Sequence, residues 1–518
     1  MGKRKMLKRE YLVVIAMSDG TKKDNRFPRK TRELIRIIKK ADEEDRLYET
    51  VMEELQHPVS MPALWACREY IDQLRDEVCH QDGMESYLLL SISALIATME
   101  DELEKAEQYL ALLGETPAHI DAGQCNGKDY IRMATEIVMP YVSDNKFFHI
   151  AAALTDMKLP VKNLTLSASR PSILNGFRDF TRYGRKIAEN RTALQKTIQT
   201  LYGDKSKGVI DIALAEWYYQ ENDPFHALLL ITGTIPFMEN KRDIQCLFVA
   251  MALQMKILLL NGQIKAAEPL VAQIKTQIEK WGWEELMNSL KALTAWAACY
   301  DGNMDVVQEW MTGSAPDETK PIYMMDVYAY LVKIRCYLFA GKHMLALVLA
   351  KRMLHILKKC NRYMDICECH MMIAIACYKA DSMEDMCGEL EQAILLAKRY
   401  RYIRLLADEG AYMEKMLRVY REKKGSDDFT DQILELAMDV AKRLPDYMKS
   451  PEEYAVVLTP TEKKVLKLMV DGLSYEQIGE KLNKKVGTVK YHTSGIYRKL
   501  GVKNRQQAVK RAAQIEWM

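Results

Sequence analysis

Thr488, Lys490, Tyr491, Ser494 and Arg498 crowd into one short stretch towards the C-terminal end of the chain. Hydroxyls and cationic nitrogens at that density suit hydrogen bonding to base edges and charge pairing with phosphate rather than bond-making chemistry. At about 100° per residue, Val486, Val489, Thr493, Ile496 and Leu500 gather on one side of a helix. Tyr491, Ser494 and Arg498 then point the opposite way, with Thr488 and Lys490 on the flanks. That outward face is cationic and hydrogen-bonding, as an element lying in a major groove should be.

Such a helix needs a scaffold, and the preceding residues specify one. Thr459, Pro460 and Glu462 form a helix start: a hydroxyl cap, proline in the first turn and an acid three residues past the cap. Val465, Leu466, Leu468 and Met469 supply the inner face, and Asp471-Gly472 stops the helix. Ser474 with Gln477 opens a second helix whose inner residues are Ile478 and Leu482. Asn483-Lys484-Lys485 makes the turn into the third helix, Gly501 ends it, and Asn504 caps a fourth. Two short helices, a tight turn and a third helix predict a helix-turn-helix bundle. Charge agrees. Residues 451–518 carry 13 Lys and Arg against 7 Asp and Glu, whereas the rest of the chain carries 61 against 64. A near-neutral total of +3 therefore conceals a basic end.

Leu458-Thr459 with Glu462, Gly472-Leu473-Ser474, Glu476-Gln477-Ile478, Thr488-Val489-Lys490 with His492, Ile496 to Val502, and Asn504-Arg505 with Ala508 together resemble the LuxR-type DNA-binding domain. The resemblance implies that Lys490, Tyr491 and Ser494 read base edges, that Thr488 and Lys499 contact phosphate, and that the fourth helix dimerises. The chain departs from the pattern at Lys484, where the family has a core Ile, and at Lys485, where it has a capping Ser. Tyr475 and Gly479 replace a frequent Asn and Ala. Gly487 and Gly495 lie inside the reading helix, each costing roughly 1 kcal/mol relative to Ala. Lys484 and Lys485 offset the missing cap if they approach phosphates directly. Ala508, Ala512 and Ile515, at i, i+4 and i+7, form a small-residue stripe expected to pair two DNA-bound copies. That pairing predicts a homodimer on spaced inverted half-sites of promoter DNA.

Upstream, turn signals recur. Asn222, Gly262, Gly302, Gly341 and Asp381 are 40, 40, 39 and 40 residues apart. Five residues after each stands Ala227, Ala267, Val307, Ala346 or Met386, and aromatic or long apolar residues precede each turn. A period near 40 with a small residue where two helices cross predicts an α-solenoid of tetratricopeptide-like pairs. Glu102-Leu103-Glu104-Lys105-Ala106 echoes the unit far upstream. Arg170-Pro171-Ser172, Asn175 to Phe180 and Leu405 to Gly410 resemble the helical region of the large ATP-binding LuxR regulators of the maltose-activator type. Their Gly-x-x-x-x-Gly-Lys-Ser/Thr motif is absent here, so ATP-driven switching is not expected. Gly203 to Gly208 has the wrong spacing and reads as a surface turn.

Several other chemistries find no support. Nine histidines are dispersed, side-by-side carboxylates such as Glu43-Glu44 sit on charged helices, and neither a Gly-x-Ser-x-Gly elbow nor His-Glu-x-x-His occurs. No enzyme and no cofactor is expected. Cys367, Cys369 and His370, with Cys360 and Cys377 nearby, lack the spacing for four ligands, so buried thiols rather than a metal site are expected. Eleven cysteines in a chain of this length read as free thiols. The apolar run Leu12 to Met17 is too short for a signal peptide and no membrane span is supported, so a cytoplasmic protein is expected.

The whole predicts an all-α chain: a basic segment over 1–30, irregular helices over 31–205, repeats over 206–444, a linker over 445–457 and the helix-turn-helix domain over 458–518. Its expected work is sequence-specific DNA binding, with the repeats sensing an effector or protein partner. The rival reading is an interaction scaffold whose C-terminal bundle is a dimer module or remnant.

Overall fold

All five turn residues of the 40-residue period adopt the left-handed conformation: φ is 66° at Asn222, 79° at Gly262, 70° at Gly302, 74° at Gly341 and 60° at Asp381. A helix followed by one left-handed residue reverses sharply, which is how each unit becomes an antiparallel pair. The computed structural model describes residues 31–55, 61–78, 81–114, 126–157, 170–202, 206–283, 285–444, 447, 458–500, 502 and 504–514. Among these residues α-helices dominate, and β pairing is limited to an isolated antiparallel bridge between Asn175 and Asp179.

Helices α1 to α10 lie between Thr31 and Tyr202. The upstream echo is real in form: Asp101 is left-handed at φ 64°, and Ala106, five residues on, is fully buried. The pairs follow as α11 (Ser206–Gln220) with α12 (Pro224–Lys241), α13 (Ile244–Leu260) with α14 (Ile264–Trp281), and α15 (Leu286–Asp301) with α16 (Met304–Gly313). Then come α17 (Val327–Phe339) with α18 (His343–Lys359), α19 (Tyr363–Lys379) with α20 (Met383–Tyr400), α21 (Ile403–Ala407), α22 (Gly410–Lys424) and α23 (Asp428–Arg443). Ala227, Ala267, Val307, Ala346 and Met386 are all buried, as residues at a helix crossing must be.

The first helix of each pair, exemplified by α13 and α17, is buried almost all round. It packs on both neighbours and faces inward, while the second helix keeps a wet outer face. A second set of left-handed residues, Arg242, Gly282, Asn361 and Arg401, turns the chain between pairs.

The superhelix closes on itself. The Tyr219 hydroxyl of the first pair donates to Asp408 Oδ2 at 2.6 Å, Leu405 N donates to Gln220 Oε1 at 3.1 Å, and Arg401 pairs with Glu221 at 3.0 Å. Across the ring lies the segment from Arg170 to Tyr183. Arg170 and Asp365 pair at 3.0 Å, and the buried Arg362 guanidinium donates to the carbonyls of Gly176 and Phe177 at 2.8 Å each. These contacts account for the two short resemblances around Arg170–Phe180 and Leu405–Gly410: both segments build the closure. What remains open is a cavity of about 150 Å³. Aromatic faces, among them Trp217, Tyr219, Trp296 and Tyr300, line it together with Lys256 and Arg335.

Cys360, Cys367, Cys369 and Cys377 are buried between repeats; the Cys367 thiol donates to Ala393 O at 3.3 Å, and His370 Nδ1 lies 2.6 Å from Glu389. Burial pushes the Cys360 thiol up to about 11, so it stays protonated at neutral pH.

Candidate nucleic-acid interface

A separate apolar cluster holds the C-terminal domain: Leu458, Val465, Leu466, Met469, Ile478, Val489, Ile496, Leu500, Ala508 and Ala512. Its helices are α24 (Pro460–Val470), α25 (Tyr475–Leu482), α26 (Val486–Leu500) and α27 (Arg505–Gln514). Two capping boxes start them. Thr459 N donates to Glu462 Oε2 at 2.7 Å while Glu462 N donates to Thr459 Oγ1 at 3.2 Å; Ser474 and Gln477 repeat the exchange at 2.8 and 3.3 Å. Left-handed Gly472 (φ 84°) and Asn483 (φ 51°) end α24 and α25.

The turn into α26 shows why residue 479 is glycine. A Cβ there would lie 2.7 Å from the Lys484 carbonyl, because Lys484 N folds back to donate to Gly479 O at 2.8 Å. Lys484 is exposed rather than buried as its counterpart Ile would be. At Lys485 the helix starts on backbone bonds, with Thr488 N and Val489 N donating to Lys485 O at 2.8 and 3.1 Å. Tyr475 sets its hydroxyl 3.2 Å from that of Tyr497, tying α25 to α26.

Val489, Ile496 and Leu500 are fully buried and Thr493 nearly so, which fixes the rotation of α26. Each apolar side chain so placed contributes about 1.5–3 kcal/mol relative to exposure. The opposite face is thereby committed to solvent: Lys485, Thr488, Lys490, Tyr491 and Ser494 are all exposed, Tyr491 by 77%. These five residues, all expected to meet DNA, thus share one accessible surface.

Lys499 does not belong to that group in the free protein. Its ammonium lies 2.6 Å from Glu462 Oε2, and its side chain is only 22% exposed. Burial works against the Glu462 charge, but the Lys499 ammonium and the Thr459 N–H outweigh it and hold the carboxyl below its usual range. Arg505 is also structural, donating to the Met469 carbonyl at 3.0 Å and to that of Leu473. It closes the C-terminal end of α24.

The expected dimerisation stripe needs correction. Ala508 and Ala512 are 0% and 4% exposed and pack inside the domain, whose fourth helix lies against α24 and α26. Helical spacing identifies a stripe but not which way it faces, and a bundle of so few apolar residues takes every inward position it has. Ile515 lies outside the described residues.

Comparison with known proteins agrees with this geometry. Residues 456–512 match the family described as bacterial regulatory proteins, luxR family, and residues 194–423 match the MalT-like TPR region. The transcriptional regulatory protein DesR of Bacillus subtilis is 40% identical over 73 residues, 14% of this chain and 37% of DesR. The transcriptional regulatory protein DegU of Brevibacillus brevis is 30% identical over 121 residues, 22% of this chain and 47% of DegU. A Mycobacterium tuberculosis protein named as an HTH-type transcriptional regulator is 31% identical over 135 residues, 24% of this chain and 15% of its own length. The chain spans less than half the length of each of these relatives. It carries a MalT-like TPR region followed by a LuxR-family domain.

Proposed function

We propose that this chain is a sequence-specific transcription regulator that acts by binding rather than by catalysis. The observation that carries the reading is the rotation of α26, whose buried Val489, Thr493, Ile496 and Leu500 turn Lys485, Thr488, Lys490, Tyr491 and Ser494 outward together. Such a helix fits a major groove, with the residues from Lys485 to Ser494 nearest the bases and phosphates. Lys490, Tyr491 and Ser494 read base edges; Thr488, Lys485 and Lys484 meet phosphate. The relatives' names as transcriptional regulators support promoter DNA as the target, and the cytoplasm as the place of action.

The chain binds inverted half-sites as a homodimer, and the pairing surface lies elsewhere than the buried Ala508 and Ala512. The closed ring of helix pairs is the sensing part. Its cavity presents aromatic faces beside polar atoms that are buried without a hydrogen-bond partner, among them Arg170 Nε and Arg335 Nε. Unsatisfied polar groups next to apolar faces are what a bound effector completes.

The test is gel retardation of duplex DNA by the full chain at several salt concentrations. A complex that forms on particular fragments and weakens steeply with salt is expected. Absence of any salt-dependent complex, with a stoichiometric protein partner recovered instead, would leave the scaffold reading in its place.

A further inference from the structure

Tyr447 stands between the last helix of the ring and the first residue of the DNA-binding domain's core, Leu458. It is 1% exposed and among the largest fully buried side chains described. Its ring stacks on Tyr300 of α15 with centroids 4.1 Å apart and planes 5° from parallel. Its hydroxyl accepts from Arg335 Nη1 of α17 and donates to Glu409 Oε2, which follows α21. Arg335 meanwhile pairs with Glu409 at 2.7 Å and with Glu368 of α19 at 3.1 Å. One tyrosine beyond the repeats is therefore held by residues from three separate parts of the ring.

Those same residues line the cavity. Tyr300, Arg335, Glu368 and Glu409 all border its open space, and Arg335 Nε has no hydrogen-bond partner. The phenol thus occupies the far side of a wall whose near side is open to a ligand. Arg335 cannot keep its full set of partners if a ligand draws its guanidinium inward. Nor can the Tyr300 ring tilt towards the cavity without breaking a stack 5° from parallel.

We propose that Tyr447 is a latch that fastens the chain leading to the DNA-binding domain onto the wall of the ring cavity, so that cavity occupancy sets whether that chain is held or released. The inference rests on the reading of the C-terminal domain as a DNA-binding module. The ligand that would open the latch is one that competes with the phenol for the Tyr300 face or the Arg335–Glu409 pair: a planar group bearing a hydroxyl. Because packed walls have two arrangements rather than a continuum, a small shift at Arg335 is enough to release the ring of Tyr447.

The experiment follows cleavage of the full chain by trypsin at Lys449, two residues past Tyr447 in the sequence. It needs no DNA, so its failure is separate from a failure of the DNA-binding reading. Losing the stack and both hydroxyl bonds should raise the cleavage rate about tenfold or more in Tyr447→Ala. Tyr447→Phe, which keeps the stack, should fall between it and the parent. Tyr300→Ala removes the stack from the cavity wall but leaves both hydroxyl bonds, so it too should fall between the parent and Tyr447→Ala. The double variant Tyr300→Ala/Tyr447→Ala should cleave no faster than Tyr447→Ala alone, since the stack that Tyr300→Ala removes is already lost with Tyr447. Helical circular dichroism at 25 °C identifies a variant that has lost the ring fold, and Tyr447→Phe then carries the comparison. Unchanged cleavage in both Tyr447 variants, or effects of Tyr300→Ala and Tyr447→Ala that multiply, would overturn the latch.

Discussion

The Lys499 ammonium lies 2.6 Å from the Glu462 carboxylate, which also accepts the Thr459 backbone N–H at 2.7 Å. One carboxylate therefore starts the first helix of the DNA-binding domain and pins the last turn of the reading helix. It also explains a glycine. A Cβ on residue 495 would stand 2.8 Å from Glu462 Oε1, so the bare Cα leaves room for the pinned carboxylate.

The two glycines of the reading helix should behave oppositely. A Cβ at Gly487 meets nothing within 4 Å, so Gly487→Ala should stabilise the domain by up to about 1 kcal/mol through helix propensity. Gly495→Ala gains the same propensity but pushes Glu462 off its cap, where a lost N-cap costs about 0.5–2 kcal/mol. It should be neutral to destabilising. Thermal melts of the two variants side by side check this, and a rise for Gly495→Ala equal to that for Gly487→Ala would contradict the pinned carboxylate.

On DNA, Lys490→Ala and Ser494→Ala should each cost about 1–3 kcal/mol on the preferred site and relax discrimination against random duplex. Lys485→Ala should weaken all sequences alike and lower the salt slope by about 1. Lys499→Ala should show neither signature first. Its main effect is a lower melting temperature, because its charge is already spent on Glu462. Titrations with specific and random duplexes at two salt concentrations, with melts of the same proteins, separate the three behaviours.

Much of this architecture was legible because backbone requirements leave marks in sequence. A left-handed turn favours Gly, Asn or Asp, so Asn222, Gly262, Gly302, Gly341 and Asp381 announce the period. The turns at Arg242 and Arg401 are equally left-handed yet silent, because arginine is no turn signal. The rotation of α26 followed from the spacing of Val489, Thr493, Ile496 and Leu500. Partners distant in sequence did not show: Glu462 with Lys499, Arg170 with Asp365, Tyr300 with Tyr447. Tyr447 fell in an expected linker, since nothing local distinguishes a buried tyrosine from a solvated one. The Ala508–Ala512 stripe was recognised but assigned outward.

Acid should act on the ring through Asp365. Burial raises this carboxyl's pKa, but the Arg170 and Arg362 charges and hydrogen bonds outweigh it and bring it from 3.8 to about 2. The folded state thus favours the ionised form. That contribution is complete above the unfolded value and is lost as pH falls from about 4 towards 2. Asp365→Asn removes the carboxylate that both buried guanidiniums bond and should cost about 3–5 kcal/mol at neutral pH. The gap between variant and parent in denaturant midpoint should narrow below about pH 4. A gap independent of pH would mean that the carboxylate's charge is not what holds the segment from Arg170 to Tyr183.

The fourth helix gives the sharpest test of which face is inward. Ala512 is 4% exposed in a cluster with Leu458, Val465 and Leu466. Ala512→Glu would place four extra heavy atoms, three of them an unpaired carboxylate, in that core. Nothing in the cluster can receive the charge, so several kcal/mol of destabilisation is expected, comparable to the whole stability of a small domain. The variant should lose the melting transition of the C-terminal domain and, with it, DNA binding in every form. Gln507→Glu, on the exposed side of the same helix, should keep both. A helix that dimerises through Ala512 would instead give a folded domain that binds DNA as a monomer. Melting curves and retardation patterns of the two full-length variants separate these outcomes, and a folded Ala512→Glu domain would refute the inward placement.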